Sequence, residues 1–498
     1  MERCSGLLMP IFSLPSKYGI GSFGKESYKF VDYLESAGQK VWQILPLVQT
    51  GYGDSPYSSV SSTSFNPYYI SVDGLIEKGL ITKAEAKFAF AKEGLIDYGN
   101  LYAVRYPLLR KAFSRFDKTD TGFQKFVKSK EALDYALFMA IKNASGQKHF
   151  YEWDNPLKNR DNKALNKFIK DNGEELLFWQ FVQYLAKKEW FELKSYANSK
   201  GISILGDMPI YVALDSVDVW KNPELFKLDG DFKPKKVAGV PPDYFSKTGQ
   251  LWGNPVYDYA EHKKDDFAWW TARIKTALSV YDFVRIDHFR AFDRYYEIDA
   301  DRKDAIVGEW VEVPSEELFA AVHKSVDRKR IIAEDLGIID DGVRELLKSV
   351  GYPGMKILSF AFNGEDNNLY LPESLPKNSI CYTGTHDNDT LMGLINSASE
   401  WDKNNLYRGV KNSLSKMNIA AKIENDEDLA RAIMLLGFYS KANLFIMPMQ
   451  DVLLLNSDYR INEPGTVKEQ NWSVRFNEKD FKKSAANNLK KLAIKCGR

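Results

Sequence analysis

The chain is 498 residues long and carries 68 Lys and Arg residues against 67 Asp and Glu residues, which leaves a formal net charge of +1. This balance gives no overall electrostatic attraction to nucleic acid or to an anionic membrane, so binding driven by bulk charge is excluded. The three cysteines are far apart without metal-ligand spacing, and no segment is apolar over the thickness of a bilayer, which predicts a cytoplasmic protein with reduced thiols and no membrane span.

Short apolar runs alternate with amphipathic segments along most of the chain. The runs predict eight buried parallel strands, at 6–9, 40–45, 202–207, 283–287, 330–335, 356–360, 380–385 and 444–448. The amphipathic segments predict helices at 25–37, 174–199, 265–280, 315–326, 341–349 and 426–440. This alternation predicts an α/β fold, a (β/α)₈ TIM barrel, as a single catalytic domain that spans 1–498.

Two long insertions interrupt the alternation. Residues 51–173 are polar, Lys-rich and mostly helical in pattern, and we expect an inserted helical subdomain at the barrel mouth. Residues 209–259 are rich in Pro, Gly and aromatic residues and predict an ordered loop region, which in a compact enzyme usually carries function. After the last strand, residues 480–495 predict a Lys-rich helical tail, and the short alternating strands of a C-terminal β-sandwich domain are missing from the pattern.

Three of the predicted strands end in a carboxylate. Asp287, Glu334 and Asp387 each follow an apolar run, and the carboxyl ends of barrel strands are where barrel enzymes keep their chemistry. Cleavage of a glycosidic bond needs a proton for the leaving oxygen and a stabiliser for a cation-like sugar, and a pair of carboxyl groups supplies both. Three carboxylates at this edge therefore indicate an enzyme that acts on glycosidic bonds.

The strand order suggests a role for each carboxylate. We expect Asp287 to be the nucleophile, Glu334 the general acid and then base, and Asp387 the group that holds sugar hydroxyls and stabilises the transition state. The positive charge of neighbouring Arg285 should keep Asp287 ionised. Glu334 must instead be protonated near neutral pH, and repulsion by Asp287 and Asp387 should favour that state.

Several neighbours of these carboxylates have more than one interpretation. Asp335 and Asp389 are typical of helix caps or loop anchors at strand ends. His288 and His386 could ligate a metal ion, but no third ligand stands at metal-like spacing, so neutral hydrogen bonding to sugar hydroxyls is favoured. We therefore expect no metal site.

Long segments of the chain match one enzyme family in order. They are SLPSKYGIG at 13–21, GYGDSPY at 51–57, Asn66-Pro67, GDMPIYV at 206–212, VAGVPPDYFS at 237–246, TGQLWGNP at 248–255, RIDHFR at 285–290, AEDLG at 333–337, THDN at 385–388, NEPGT at 462–466 and Asn471-Trp472. On these residues the chain resembles the 4-α-glucanotransferases, called amylomaltases or disproportionating enzymes, a branch of the α-amylase clan. The resemblance covers nearly the whole chain.

The resemblance implies a retaining transfer of α-1,4-glucan segments from a donor maltooligosaccharide to the 4-hydroxyl of a glucose or glucan acceptor, without a cofactor. It implies the same roles for the three carboxylates, and donor-sugar contacts for Tyr57, Asp207, Arg285, His288, His386 and Asn462. It also implies that the region 209–259 borders the acceptor side, where it contributes Asp243, Tyr244, Phe245, Gln250 and Trp252. We hypothesise that the aromatic residues of this region make transfer dominate over hydrolysis by excluding water.

Three other functions stay open at this point. An α-1,4-glucan hydrolase of the same clan would use the same carboxylates. A non-catalytic glucan-binding protein would have no need of them. A metal-dependent barrel hydrolase would use His288, His386 and Asp387 as ligands, and insensitivity to a chelator would remove that option.

Overall fold

The protein is built from a ring of parallel strands surrounded by helices. A computed structural model describes residues 2–51, 53–88, 94–242, 246–337 and 339–498. Within these residues the strands, in chain order, are β1 (Cys4–Leu8), β2 (Val41–Gln43), β3 (Ser203–Met208), β4 (Lys236–Val240), β5 (Gln250–Pro255), β6 (Phe283–Ile286), β7 (Arg294–Asp299), β8 (Glu309–Glu312), β9 (Ile331–Ala333), β10 (Gly354–Ile357), β11 (Ser379–Tyr382) and β12 (Leu444–Pro448).

The helices occupy the connections between the strands. They are α1 (Lys25–Ser36), α2 (Val72–Glu77), α3 (Tyr98–Arg115), α4 (Thr121–Phe126), α5 (Lys130–Ala144), α6 (Asn155–Lys158), α7 (Asn162–Asp171), α8 (Gly173–Ser199), α9 (Val217–Lys221), α10 (Tyr259–Lys264), α11 (Ala268–Val280), α12 (Ser315–His323), α13 (Asp341–Val350), α14 (Leu391–Ser397), α15 (Glu400–Lys416), α16 (Asp426–Tyr439), α17 (Met449–Val452) and α18 (Lys483–Lys495). Among the described residues, no helix is long and apolar enough to cross a membrane.

Eight of the strands form one sheet in the order β10-β11-β12-β1-β2-β3-β6-β9, and every neighbouring pair is parallel. The amide of Ala333 in β9 donates to the carbonyl of Pro353, just before β10, at 3.0 Å, which brings the two ends of the sheet together. The predicted (β/α)₈ barrel and its eight strands are confirmed, with small differences at the strand ends.

The barrel interior is apolar and ends in a polar layer. Side chains alternate along each strand, so Ile332 packs inside the barrel while Ile331 and Ala333 pack under the helices. At the carboxyl end of the interior, the Tyr382 hydroxyl donates to Gln43 Oε1 at 2.9 Å, and both side chains are buried. The candidate functional groups at the carboxyl ends of the strands therefore lie above a tightly packed barrel interior.

A second sheet lies beside the barrel mouth. The strands β5-β4-β7-β8 pair antiparallel, and β4 and β5 both belong to the region 209–259. Strands were not predicted there, because each is short and interrupted by Pro or Gly. The stretch 51–173 contains α2 to α7, and its division from the barrel as a subdomain stays a prediction.

Candidate active site

The nucleophile and acid candidates follow neighbouring barrel strands. Asp287 comes directly after β6, and Glu334 directly after β9. The amide of Glu334 donates to the carbonyl of Ile286 at 3.0 Å, and the amide of Asp287 donates to the carbonyl of Met208 at 3.1 Å. The ladder between the strands therefore continues into these residues and fixes them side by side at the carboxyl edge.

Arg285 connects two carboxylates of the cluster, Asp207 and Asp287. Its Nε and Nη2 donate to the two oxygens of Asp207 at 2.9 and 2.6 Å, and Nη2 also donates to Asp287 Oδ1 at 2.9 Å. The hydroxyl of Tyr57 lies 3.1 Å from the same Nη2 and donates to Asp207 Oδ2 at 2.5 Å. A guanidinium that spans two carboxylates holds both in fixed orientation, because its donors are planar and rigid.

A close approach of the backbone makes room for this cluster. A Cβ atom on Gly206, the residue before Asp207, would lie 2.1 Å from the ring of Tyr281. The ring therefore packs directly on the backbone of β3, and glycine is required there. This close packing explains why the GDMPIYV motif begins with glycine.

Burial and charge act in opposite directions on the pKa of the Asp287 carboxyl. Its side chain is 27% exposed in the cleft, and burial together with the nearby carboxylates Asp207, Glu334 and Asp387 raises its pKa. Arg285 opposes this rise through its charge and its hydrogen bond. Arg285 thus lowers the pKa of Asp287, as predicted, but burial raises it.

Glu334 is held by the backbone. Its Oε2 accepts from the amide of His288 at 2.7 Å, and its Oε1 accepts from the amide of Leu336 at 2.9 Å. His288 has a left-handed φ of 46°, uncommon for a residue with a side chain, in the turn that presents its amide to Glu334. Burial raises the pKa of Glu334 to about 7, and adjacent Asp335 adds to the rise. The predicted protonation near neutrality agrees with this value. Burial, which the prediction left out, is its largest cause, and the repulsion between Glu334 and Asp287 acts on the pKa of Asp287.

Asp387 is fixed by the segment that follows β12. Asn462 Nδ2 donates to Asp387 Oδ1 at 2.6 Å, and His386 Nε2 lies 3.3 Å from Asp387 Oδ2. Arg460 donates to the carbonyls of Asp387 and Asn462 at 2.7 and 2.8 Å. Sequence reasoning missed Arg460, because it stands outside the matching motifs and nothing local marks it.

The two histidines of the site are uncharged at neutral pH. Burial lowers the pKa of His288 to about 3 and also lowers the pKa of His386. The His386 ring stacks on Tyr57 at 5.3 Å, and Trp472 contacts both rings, at 5.8 and 5.5 Å. Trp472 is a second residue that sequence reasoning missed as part of the site, although it lies in a matching motif. Together these rings form an aromatic wall beside Asp387.

The predicted acceptor-side residues that the structure describes, Gln250 and Trp252, lie beside His288, the residue that follows Asp287. The indole of Trp252 meets the His288 ring edge to face at 4.9 Å, and its Nε1 donates to Gln250 Oε1 at 3.1 Å. The predicted acceptor residues Asp243, Tyr244 and Phe245 lie outside the described residues. Gln250 and Trp252 are thus brought to the site through β5.

The carboxylates interpreted as anchors do act as anchors. Asp335 accepts from the amide of Met355 and from Lys356 Nζ, at 2.5 and 3.2 Å, and so ties the end of β9 to β10. Asp389 accepts from the amide of Thr390 and from the Ser457 hydroxyl, both at 2.8 Å. No group of three or more His, Cys, Asp or Glu side chains within the described ranges is arranged to hold a metal ion.

Comparisons with known proteins agree over the whole length of the chain. A family model described as 4-alpha-glucanotransferase matches residues 9–480. The 4-alpha-glucanotransferase of Clostridium butyricum is 43% identical over 497 residues, which cover 98% of this chain and 100% of the relative. The corresponding enzyme of Thermus thermophilus is 42% identical over 486 residues, which cover 96% of this chain and 95% of the relative. A solved structure, amylomaltase from Streptococcus agalactiae in complex with acarbose, matches with a TM-score of 0.94 and 39% identity over 100% of both chains.

Proposed function

Because the chain belongs to the 4-alpha-glucanotransferase family, we propose that it transfers α-1,4-glucan segments from a donor maltooligosaccharide to the 4-hydroxyl of a glucose or glucan acceptor, through a covalent intermediate on Asp287. One observation carries the proposed mechanism. Asp287, bound to Arg285, and Glu334, with a pKa raised to about 7, stand side by side at the ends of neighbouring strands. A carboxylate nucleophile beside a carboxylic acid is what a retaining glycosyl transfer requires.

In the first step Glu334 donates its proton to the glycosidic oxygen as the bond from that oxygen to the anomeric carbon breaks. Asp287 attacks the anomeric carbon from the opposite face, so a glycosyl ester forms and the shortened glucan leaves with the proton. The charge of Arg285 lowers the pKa of both carboxyl groups, but of the two only Asp287 accepts a hydrogen bond from it. Arg285 therefore directs the negative charge of the pair to Asp287 and leaves the proton on Glu334.

In the second step Glu334, now ionised, removes the proton of the acceptor 4-hydroxyl. The acceptor oxygen attacks the anomeric carbon, the bond to Asp287 breaks, and the α-linkage is restored by the second inversion. A group that alternates between acid and base works best with a pKa near the working pH, and the pKa of Glu334 meets this condition.

The groups around the sugar at the cleavage point stabilise its developing positive charge. Asp387 presents a carboxylate fixed by Asn462, and the neutral imidazoles of His288 and His386 are available to sugar hydroxyls. Such pre-arranged dipoles and charges need no reorganisation when charge develops. The stacked rings of Tyr57 and His386 lie on the same side.

Transfer requires the acceptor to compete with water for the intermediate. Trp252 is half-buried beside His288, and Gln250 is hydrogen-bonded to it, so a sugar bound there would lie next to the reacting carbon and displace water. We assign the acceptor side to this part of the region 209–259, with Asp243, Tyr244 and Phe245 as the remaining members.

The partners of the enzyme on this proposal are small or polymeric α-1,4-glucans, and it works in the cytoplasm. The three cysteines are free thiols, as expected in a reducing compartment. Fractionation of cells that produce the protein, with the transfer activity followed in each fraction, tests the location.

Incubation of the purified protein with maltotriose alone tests the function. We expect glucose together with a ladder of longer maltooligosaccharides, which only transfer produces. Glucose and maltose without longer products would contradict transfer and indicate a hydrolase. A chelator added in a parallel incubation should leave the product pattern unchanged.

A further inference from the structure

Asp451 is a buried carboxylate that the proposed reaction does not use. It lies in α17 directly behind the carboxyl end of the barrel, and it is 1% exposed. Its Oδ2 accepts from the hydroxyl of Thr383 at 2.6 Å, and its Oδ1 accepts from the amide of Leu391 at 2.8 Å. Both donors are uncharged, so neither forms an ion pair that would offset the cost of burying this carboxylate.

The two donors stand at the two ends of one loop. Thr383 directly follows β11, and its own amide donates to the carbonyl of Ile446 in β12 at 3.3 Å. Leu391 is the first residue of α14, where the amide would otherwise lack a partner. The seven residues between them, 384–390, include His386 and Asp387. A single carboxylate thus closes the loop that carries two groups of the site.

The middle of this loop is held by other contacts. Asn388 Oδ1 accepts from the amide of Thr385 at 2.8 Å, and the amide of Asn462 donates to the carbonyl of His386 at 3.0 Å. These contacts fix the loop against itself and against the segment after β12. At its ends, backbone hydrogen bonds to Ile446 and Ser359 also hold Thr383, and the Asp451 carboxylate joins Thr383 to Leu391.

We propose that Asp451 is a positioning residue, which holds both ends of the loop 384–390 so that Asp387 keeps its place against the sugar. The inference rests on the proposed role of Asp387. Asp451 touches neither substrate nor reacting atoms and acts through Asp387. A displacement of about 1 Å at a group that stabilises the transition state is enough to lower the rate roughly 100-fold.

A double-mutant cycle tests this coupling. The probe is acarbose, whose binding is measured by calorimetry in the wild type, Asp451→Ala, Asp387→Asn and the double variant. We expect Asp451→Ala to weaken binding about tenfold in the wild-type background and less than about twofold in the Asp387→Asn background, because coupled residues are not additive. Equal losses in both backgrounds would overturn the inference.

The conservative variant separates position from simple folding. In Asp451→Asn the amide oxygen still accepts from Leu391 and the amide nitrogen donates to the Thr383 hydroxyl, so kcat with maltotriose should stay within about threefold of the wild type. Asp451→Ala should lower kcat at least tenfold with a smaller change in KM. An unchanged kcat of folded Asp451→Ala would contradict the proposal.

Two further variants guard the interpretation. If Asp451→Ala does not fold, Thr383→Val replaces it in the cycle: it removes one of the two donors, keeps the shape, and should show the same dependence on Asp387 with a smaller loss. The control is Asp282→Asn at the other end of the barrel, where the carboxylate accepts from Ile204 and Asn198. It should lower the melting temperature and leave kcat unchanged.

Failure of the inference and failure of the proposed function are distinguishable. If Asp387→Asn itself binds acarbose and turns over maltotriose as the wild type does, the role of Asp387 is wrong. If Asp387→Asn is impaired and Asp451→Ala is not, only the positioning role falls.

Discussion

The donor side and the acceptor side of the proposed site are held in different ways. On the donor side Asp207, Arg285 and His386 are 3%, 2% and 2% exposed, and hydrogen bonds or ring contacts join them to Asp287, Tyr57 and Asp387. On the acceptor side Leu251 is 37% exposed between Gln250 and Trp252, on strand β5 at the edge of the antiparallel sheet. The donor side is therefore a cross-linked cluster on the barrel, and the acceptor side is an open edge beside it.

This contrast follows from what each side must do. Charge develops on the donor sugar, so the groups around it must be oriented before reaction, and burial makes their interactions stronger. The acceptor side must release one glucan and admit another within each cycle, which an exposed edge strand permits. Changes on the donor side should therefore abolish reaction, while changes on the acceptor side should alter its outcome.

The largest effect should come from removing the nucleophile on the donor side. Asp287→Asn keeps the shape of the side chain but removes the charge that attacks the sugar, and we expect transfer from maltotriose to fall by at least about 10⁴-fold. Calorimetry should show maltotriose binding within a few-fold of the wild type. Turnover near the wild-type rate would show that another group forms the intermediate.

Asp387 provides a second, smaller test of the donor side. Asp387→Asn should lower kcat by about 10²–10³-fold with a smaller change in KM, because its charge matters most as the sugar becomes cationic. Steady-state rates across a range of maltotriose concentrations separate the two constants. An increase in KM alone would mean that Asp387 binds the ground state and the transition state equally well.

The protonation of Glu334 predicts a pH dependence. Since its pKa is raised to about 7, the proton is present below that pH and is lost as the pH rises through it. Glycosylation from maltotriose should then fall about tenfold per pH unit on the alkaline side. Maltotriosyl fluoride, whose leaving group needs no proton, is the control, and its first step should show no such fall. The same alkaline fall with both donors would assign the pKa to another group.

The sequence was sufficient to place Asp287 and Glu334 at one edge of the barrel, because the signals for both are local. Apolar runs that end in Asp287 and Glu334 predict both a buried strand and the side chain at its exit, and the barrel brings those exits to one edge. The barrel order itself followed from the alternation of strands and helices. The proposal of chemical roles for the carboxylates needed only their identity and this common edge.

What could not be predicted depends on contacts between distant segments. Arg460, Trp472 and Asp451 act on the loop around Asp387 from beyond β12. No local pattern distinguishes Arg460 and Asp451 from ordinary core or surface residues, and the motif that contains Trp472 does not indicate its partner. The pKa of Glu334 is set mainly by burial, which only packing reveals. The strands β4 and β5 are short and pair with each other, and β4 also pairs with β7, a distant partner that local propensity does not indicate.

The smallest effect, and the one that separates the two sides most clearly, concerns Trp252. Trp252→Ala should raise the ratio of hydrolysis to transfer by about three- to tenfold, because it uncovers the reacting carbon to water and removes a surface for the acceptor. Free glucose and longer maltooligosaccharides, quantified from the same maltotriose incubation, report the ratio. Trp252→Phe keeps an aromatic face beside His288 and is the matched control, which should remain close to the wild type. If both variants keep the wild-type ratio while total turnover falls, Trp252 only packs β5 against the barrel, and the acceptor side must lie with other residues.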